Sequence, residues 1–155
     1  MPEQEDPADE AWHLLARYVI DNRDAWRRAT MNRTGLPFSK IRIIRRLSLV
    51  DAPMSLSQVA DAAAMDRPAA TVAINDLADR GLVRRDVDPA DRRSRMVSLT
   101  PAGRAMMATI SSVEDPAPDD FAALPERDIK TLLRIARQLD EAMRRRPDSP
   151  ARHKD

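Results

Sequence analysis

The sequence contains no cysteine, which excludes disulfides, thiolate metal sites and any thiol-based redox switch, and fits a reducing compartment. Histidine is nearly as scarce. His13 stands alone in a helical pattern and His153 lies near the end, so the two make no metal-sensing cluster. With three glycines there is no glycine-rich phosphate loop, and no nucleophile is set beside a base in a pattern that would support catalysis. Neither a catalytic residue, a metal nor a cofactor is expected. No run approaches the roughly 20 apolar residues of a membrane helix. The opening MPEQEDPADE carries five acids and no basic residue, unlike a secretory signal or a transit peptide. These absences describe a soluble cytoplasmic protein with no membrane partner.

What is present is a chain of 155 residues, 43% hydrophobic, with a formal net charge of +1. That length suits one folded domain with a modest core, and the near-neutral charge argues against a polybasic protein that binds any polyanion. The charge is unevenly spread. The start is acidic, whereas RRRPDSPARHKD at the end holds five Arg or Lys against two Asp, a composition of solvated, disordered ends that leaves non-specific phosphate contact as the second reading of the tail.

Apolar periodicity organises the rest. From Pro7 to about Arg33, Ala11, Trp12, Leu15, Ala16, Val19 and Ile20 recur at three- and four-residue steps, which predicts one long helix. After Gly35 and Pro37, a second helix in FSKIRIIRRLSLV presents Phe38, Ile41, Ile44 and Leu47 as one stripe. Ser57 is the expected N-cap of a short third helix through Val59, Ala60 and Ala63. A fourth opens with Pro68 in its first turn and Asp66 or Arg67 at its cap. It buries Ala70, Ala73, Ile74 and Leu77, and stops at Gly81.

The residues 81–103, GLVRRDVDPADRRSRMVSLTPAG, then hold two β-prone runs around a loop, five arginines and three aspartates in all. They read as an antiparallel hairpin with Val83, Val87, Val97 and Leu99 inward and the arginines outward. Thr100 caps a further helix with Pro101 at its first position. Three helices followed by a two-stranded wing make a winged helix-turn-helix. The fold class is therefore mainly α with a small β-hairpin wing, plus a helical dimerisation region. The prolines of EDPAPDDFAALPERD separate the helix begun at Thr100 from a last one starting near Pro125. Phe121, Leu124, Ile129, Leu132, Leu133, Ile135, Ala136 and Leu139 form more apolar surface there than one small winged helix covers, so a twin subunit is the economical partner.

The run LADRGLVRRDVDPADRRSRMVSLTPAGR resembles the MarR family of bacterial transcription regulators, with GLVRR, DPADRR and LTPAG in the family's order and spacing; SLSQVADAAAMDRPAATVAINDL fits less tightly. The resemblance covers roughly residues 10–145. It implies a homodimer whose first and last two helices intertwine and whose two winged helices bind a palindromic site in double-stranded DNA, as a repressor released by a small aromatic effector and held at the nucleoid when bound. By the same resemblance Arg93 is the side chain inserted into the minor groove, Asp91 holds it through a charge-assisted bond, and Arg92 and Arg95 lie near phosphates. The alternative for this loop is a solvated charged turn.

On the fourth helix, Pro68, Ala69, Ala70, Thr71, Val72 and Ala73 replace the Ser, Thr and Arg that relatives tend to carry. Arg67, Thr71 and Asn75 remain as polar readers of base edges or phosphates, with Pro68 beside them and Ala69 and Val72 facing thymine methyls. Ser57, Lys40 and Arg84 are expected at phosphates. Arg42 and Arg46, four residues apart, pair instead with acids of the dimerisation region, and Asp76 is unfavourable near DNA unless Arg80 neutralises it. An effector cleft would be lined by Trp12, His13, Trp26, Met31 and Phe38, although such a stripe at helical spacing is also a core signature. The expected organisation is an acidic disordered start at 1–7, a dimerisation helix at 8–35, the winged helix-turn-helix at 36–100, dimerisation helices at 101–146 and a basic disordered tail at 147–155. A winged-helix dimer that serves as a protein-interaction module without specific DNA binding is the alternative function.

Overall fold

The computed structural model describes residues 6–50 and 52–145. The acidic first five residues, Asp51 and the basic tail lie outside the described residues. The elements are α1 (Pro7–Asn22), α2 (Asp24–Thr34), α3 (Phe38–Ser48), β1 (Met54–Ser55), α4 (Leu56–Ala62), α5 (Arg67–Asp79), β2 (Val83–Val87), β3 (Arg95–Leu99), α6 (Pro101–Ser111), α7 (Asp119–Ala122) and α8 (Glu126–Arg144). Mostly helical, with a small antiparallel sheet ordered β1-β3-β2, the chain is a winged helix with helical extensions at both ends.

The long first helix is in fact two. They meet at Arg23, which adopts φ −104° and ψ 4°. Around it the sequence Asp21-Asn22-Arg23-Asp24 offers no apolar residue to hold a continuous ladder. The Asn22 side chain donates to the Tyr18 carbonyl at 2.9 Å, competing for an acceptor the helix would use. Arg23 is held from the side, paired with Asp115 at 3.0 Å and lying 3.9 Å from the ring centre of Trp26. α2 then buries Trp26 and Thr30, whose hydroxyl is satisfied by the Trp26 carbonyl at 2.7 Å. It closes on Gly35 at φ +67°.

The core forms around α3. Ile41, Ile44 and Leu47 are buried as their spacing requires, Phe38 is half-buried, and Ile43 is also fully enclosed because neighbours surround the helix on more than one side. Val59, Ala63, Ala73, Ile74, Leu77 and Val97 complete the interior. The N-cap of α4 is Ser55, not Ser57. Ser55 accepts from the Gln58 N–H at 3.1 Å while Gln58 Oε1 accepts from the Ser55 N–H at 2.8 Å, a reciprocal box that needs Gln or Glu three residues on. Ser57 has Ala60 there. Between α4 and α5, Ala64 sits at φ +50°, the one non-glycine in the left-handed region among the described residues.

The wing is tied to α6 by the residues that flank it. The Thr100 hydroxyl accepts from the Gly103 N–H at 3.0 Å and donates to the Gly81 carbonyl at 2.5 Å, and the Thr100 N–H donates to the Leu82 carbonyl at 3.1 Å. A Cβ at Gly103 would lie 2.0 Å from the Leu82 carbonyl oxygen, so only glycine lets α6 approach this closely. Val83 and Val97 are buried and Leu99 half-buried, but Val87 is 49% exposed. It lies where β2 has run past the core, paired with Arg95 at the outer end of the hairpin. The third strand, β1, pairs Met54 with Val97 and Ser55 with Met96. At the C-terminal end, α8 starts directly after Pro125 and has no buried residue, although Leu133, Ile135, Leu139 and Met143 mark one apolar face.

Candidate nucleic-acid interface

α5 is set by its cap. Asp66 Oδ1 accepts the Ala69 N–H at 2.7 Å, Pro68 occupies the first turn, and Gly81 at φ +71° follows the helix end. Burial of Ala70, Ala73, Ile74 and Leu77 fixes its rotation and leaves Arg67, Pro68, Ala69 and Val72 outward. Val72 is 69% exposed, unusual for a large apolar residue on a packed helix. The polar candidates are engaged within the protein: Arg67 donates to the Ser57 hydroxyl, the Thr71 hydroxyl donates to the Arg67 carbonyl at 2.9 Å, and Asn75 accepts from Arg85 of β2.

The hairpin tip, residues 88–94, is built by two aspartates. Asp88 Oδ1 accepts the Ala90 N–H at 2.9 Å. Asp91 accepts the Arg93 N–H at 3.0 Å and the Ser94 hydroxyl at 2.9 Å. Those two donors, the Arg93 N–H first, hold the Asp91 carboxyl below the ordinary carboxylate range. The charge-assisted bond from Asp91 to Arg93 is thus made to the backbone N–H and not to the guanidinium. Arg95 folds back to the Arg92 carbonyl at 3.1 Å. The guanidinium groups of Arg92 and Arg93 are exposed and have no partner among the described residues.

Other expected contacts are redistributed. Lys40 is only 17% exposed and pairs with Asp76 at 2.6 Å, so it is committed inside the protein rather than free for a phosphate; Arg80 pairs with the same oxygen at 2.8 Å. Arg84 pairs with Asp86 at 2.8 Å on the open surface, where such a pair exchanges readily with water or another anion. Arg42 meets no acid among the described residues: its guanidinium donates to the Ala63 carbonyl at the end of α4. Arg45 lies 5.5 Å from the Trp26 ring centre, and burial with the nearby Arg23 lowers its pKa. The three-residue step from Arg23 to Trp26 is the legible sign of that cluster.

The five residues expected around an effector are not brought together. Trp26 and Phe38 pack edge-to-face at 5.9 Å, and with Met31 they belong to the core, drawn in by the burial of large apolar surface. Trp12 is 68% exposed on α1, where His13 also lies. A cleft of about 330 Å³ lies instead beside Leu47, Pro53, Leu99, Arg104 and Met107, and one of about 320 Å³ between α1 and residues 115–121. None of the five lines either. Among the described residues there is no cluster of metal-ligating side chains, and no helix is long and apolar enough to cross a membrane.

The sequence profile of the MarR family matches residues 34–94, from the end of α2 to the wing tip. The transcriptional regulator HosA of Escherichia coli O111:H- is 30% identical over 115 residues, covering 73% of this chain and 81% of that protein. The chain belongs to the MarR family. Proteins of this family are transcription regulators and not enzymes. A Thauera aromatica protein named as a transcriptional regulatory protein for the hcr operon is 36% identical over 87 residues, 54% of this chain. That match spans about half of the relative, 52% of its length. The crystal structure of a MarR family regulator from Silicibacter pomeroyi superposes with a TM-score of 0.59 at 25% identity, covering 86% of this chain and 90% of the other.

Proposed function

We infer that this MarR family chain binds a palindromic operator in double-stranded DNA as a homodimer and represses transcription there until a small effector releases it. The observation that carries the reading is the pair of unpartnered guanidinium groups, Arg92 and Arg93, on a hairpin tip whose backbone Asp91 holds rigid. A planar cation presented without an internal partner suits the narrow, strongly negative minor groove, which asks for charge and shape more than for a unique hydrogen-bond code. The neighbouring helix supports shape-led recognition as well. Its outward face is Pro68, Ala69 and Val72, able to meet thymine methyls, while Arg67, Thr71 and Asn75 each already make a hydrogen bond within the protein. Dimerisation is supported by the apolar faces of α1 and α8, which stay exposed among the described residues of one chain. A two-fold dimer would place two wings and two recognition helices against half-sites about one turn of duplex apart.

Gel-shift titration with the DNA flanking the gene tests this. A specific complex should survive competitor DNA, and Arg93→Ala should weaken it at least tenfold, a loss of roughly 1.4 kcal/mol, with the salt dependence shallower by about one logarithmic unit. An operator affinity unchanged within twofold would refute the role of Arg93. The second reading, an interaction module without specific DNA binding, is favoured by the apolar outward face of α5; fluorescence anisotropy at two salt concentrations separates them, since only a sequence-specific reader keeps a preferred fragment as salt rises.

A further inference from the structure

Asp76 follows Ala69 and Val72 on α5 at three- and four-residue steps, half-buried beside the outward face, and so sets a carboxylate at the edge of that face. If the helix meets DNA as inferred above, on which this inference rests, that carboxylate stands on the side of a polyanion. The cations nearest it are turned to it: Asp76 Oδ2 accepts from Lys40 Nζ at 2.6 Å and from Arg80 Nε at 2.8 Å. Lys40 comes from α3, the helix behind, and is 17% exposed, whereas Arg80 is half exposed on α5 itself. A single carboxylate oxygen receiving two cationic donors has the contacts a DNA phosphate oxygen would otherwise receive.

We propose that Asp76 is a specificity-determining residue, an internal stand-in for phosphate that keeps Lys40 and Arg80 from contacting the DNA backbone. Backbone contacts made by cations carry no sequence information and strengthen binding to any duplex. Withholding two of them lowers affinity for non-operator DNA and leaves discrimination to the wing and the outward face of α5. The Asp76 carboxyl is kept ionised by the same two cations. Its pKa lies below the ordinary value, chiefly through the hydrogen bond from Lys40; burial opposes this as the next largest effect, and the hydrogen bond from Arg80 adds to the lowering. Asp79, three residues further along the same helix, is exposed and holds no cation among the described residues. It supplies a control with the same change of net charge.

The test compares Asp76→Asn with Asp79→Asn, each checked by circular dichroism for parent-like folding, on operator and random duplexes over a range of salt. Asp76→Asn should raise random-duplex affinity about tenfold at low salt and steepen the salt slope by about one to two units, as one or two released cations require. The operator-to-random ratio should fall with it. Asp79→Asn should change the slope by less than about half a unit. Equal effects of the two variants, or an unchanged slope for Asp76→Asn, would overturn the proposal. Lys40→Gln gives an independent measurement that does not depend on Asp76→Asn folding: its slope should match the parent's, and a fall of about one unit would mean that Lys40 already contacts phosphate, which also overturns it. Absence of duplex binding by the parent itself would instead refute the DNA-binding reading, and this inference with it.

Discussion

Tyr18 is the single tyrosine of the chain, so its ionisation can be followed without interference. Its hydroxyl donates to Asp120 Oδ1 at 2.7 Å, and the ring lies 6.3 Å from that of Phe121, which together fasten α1 to α7. The hydrogen bond to Asp120 is the main cause that raises its pKa above the usual 10.0, with burial and the negative charge of Asp120 adding to it. A raised folded pKa means that the contact stabilises the fold below the unfolded value and that this contribution disappears as pH climbs through the folded value. Ultraviolet titration of the folded protein should give a phenolate midpoint above 10, and Asp120→Asn should bring it back towards 10. A parent midpoint at or below 10 would mean that the clasp does not form in solution. At this scale the sequence is informative wherever one residue type has one local use. Asp66, Gly81 and Thr100 stand where helix-end chemistry requires them. Partners distant in sequence are not legible, which is why Lys40 reads as a phosphate contact until its ion pair with Asp76 is known.

Among the elements, α4 shows how a near miss arises. The stretch Met54-Ser55-Leu56-Ser57-Gln58 offers two serines as caps, and the apolar stripe alone does not choose between them. The reciprocal bond with Gln58 does. Ser55→Ala should therefore cost about 1 kcal/mol in urea unfolding, whereas Ser57→Ala, which loses only an exposed contact with Arg67, should stay within about 0.5 kcal/mol. Equal losses would show that the box does not hold the helix start. The break at Arg23 is hidden for a different reason. Apolar residues on one face keep their spacing across a single non-helical residue, so periodicity reports the face and misses the joint. β1 is hidden by its length: two residues cannot display an alternation, and its pairing with β3 depends on a strand more than 40 residues away, Val97 opposite Met54.

For the whole molecule, the deciding quantity is the apolar surface that one copy leaves in water. α8 is strongly two-faced and buries none of its residues within the chain, and α1 likewise has no buried residue while exposing Trp12, Leu15, Val19 and Ile20. These faces belong to the first and last elements, which the sequence marks as the dimerisation region because they carry more apolar surface than the winged helix could cover. Leu139, 64% exposed, lies on the α8 face. Covering such a leucine contributes roughly 1.5–3 kcal/mol, and in a two-fold dimer each substitution acts twice. A glutamate there would place two ionised groups in the shared core, which is far more unfavourable than losing the leucine contact alone. The parent should sediment as a dimer at micromolar concentration, with a melting temperature that rises with concentration because association and folding are linked. Leu139→Glu should sediment as a monomer, melt at a lower temperature independent of concentration, and lose operator binding even though every wing and recognition-helix residue is intact. A variant that sediments like the parent would exclude this face of α8 from the dimer, leaving α1 to account for it.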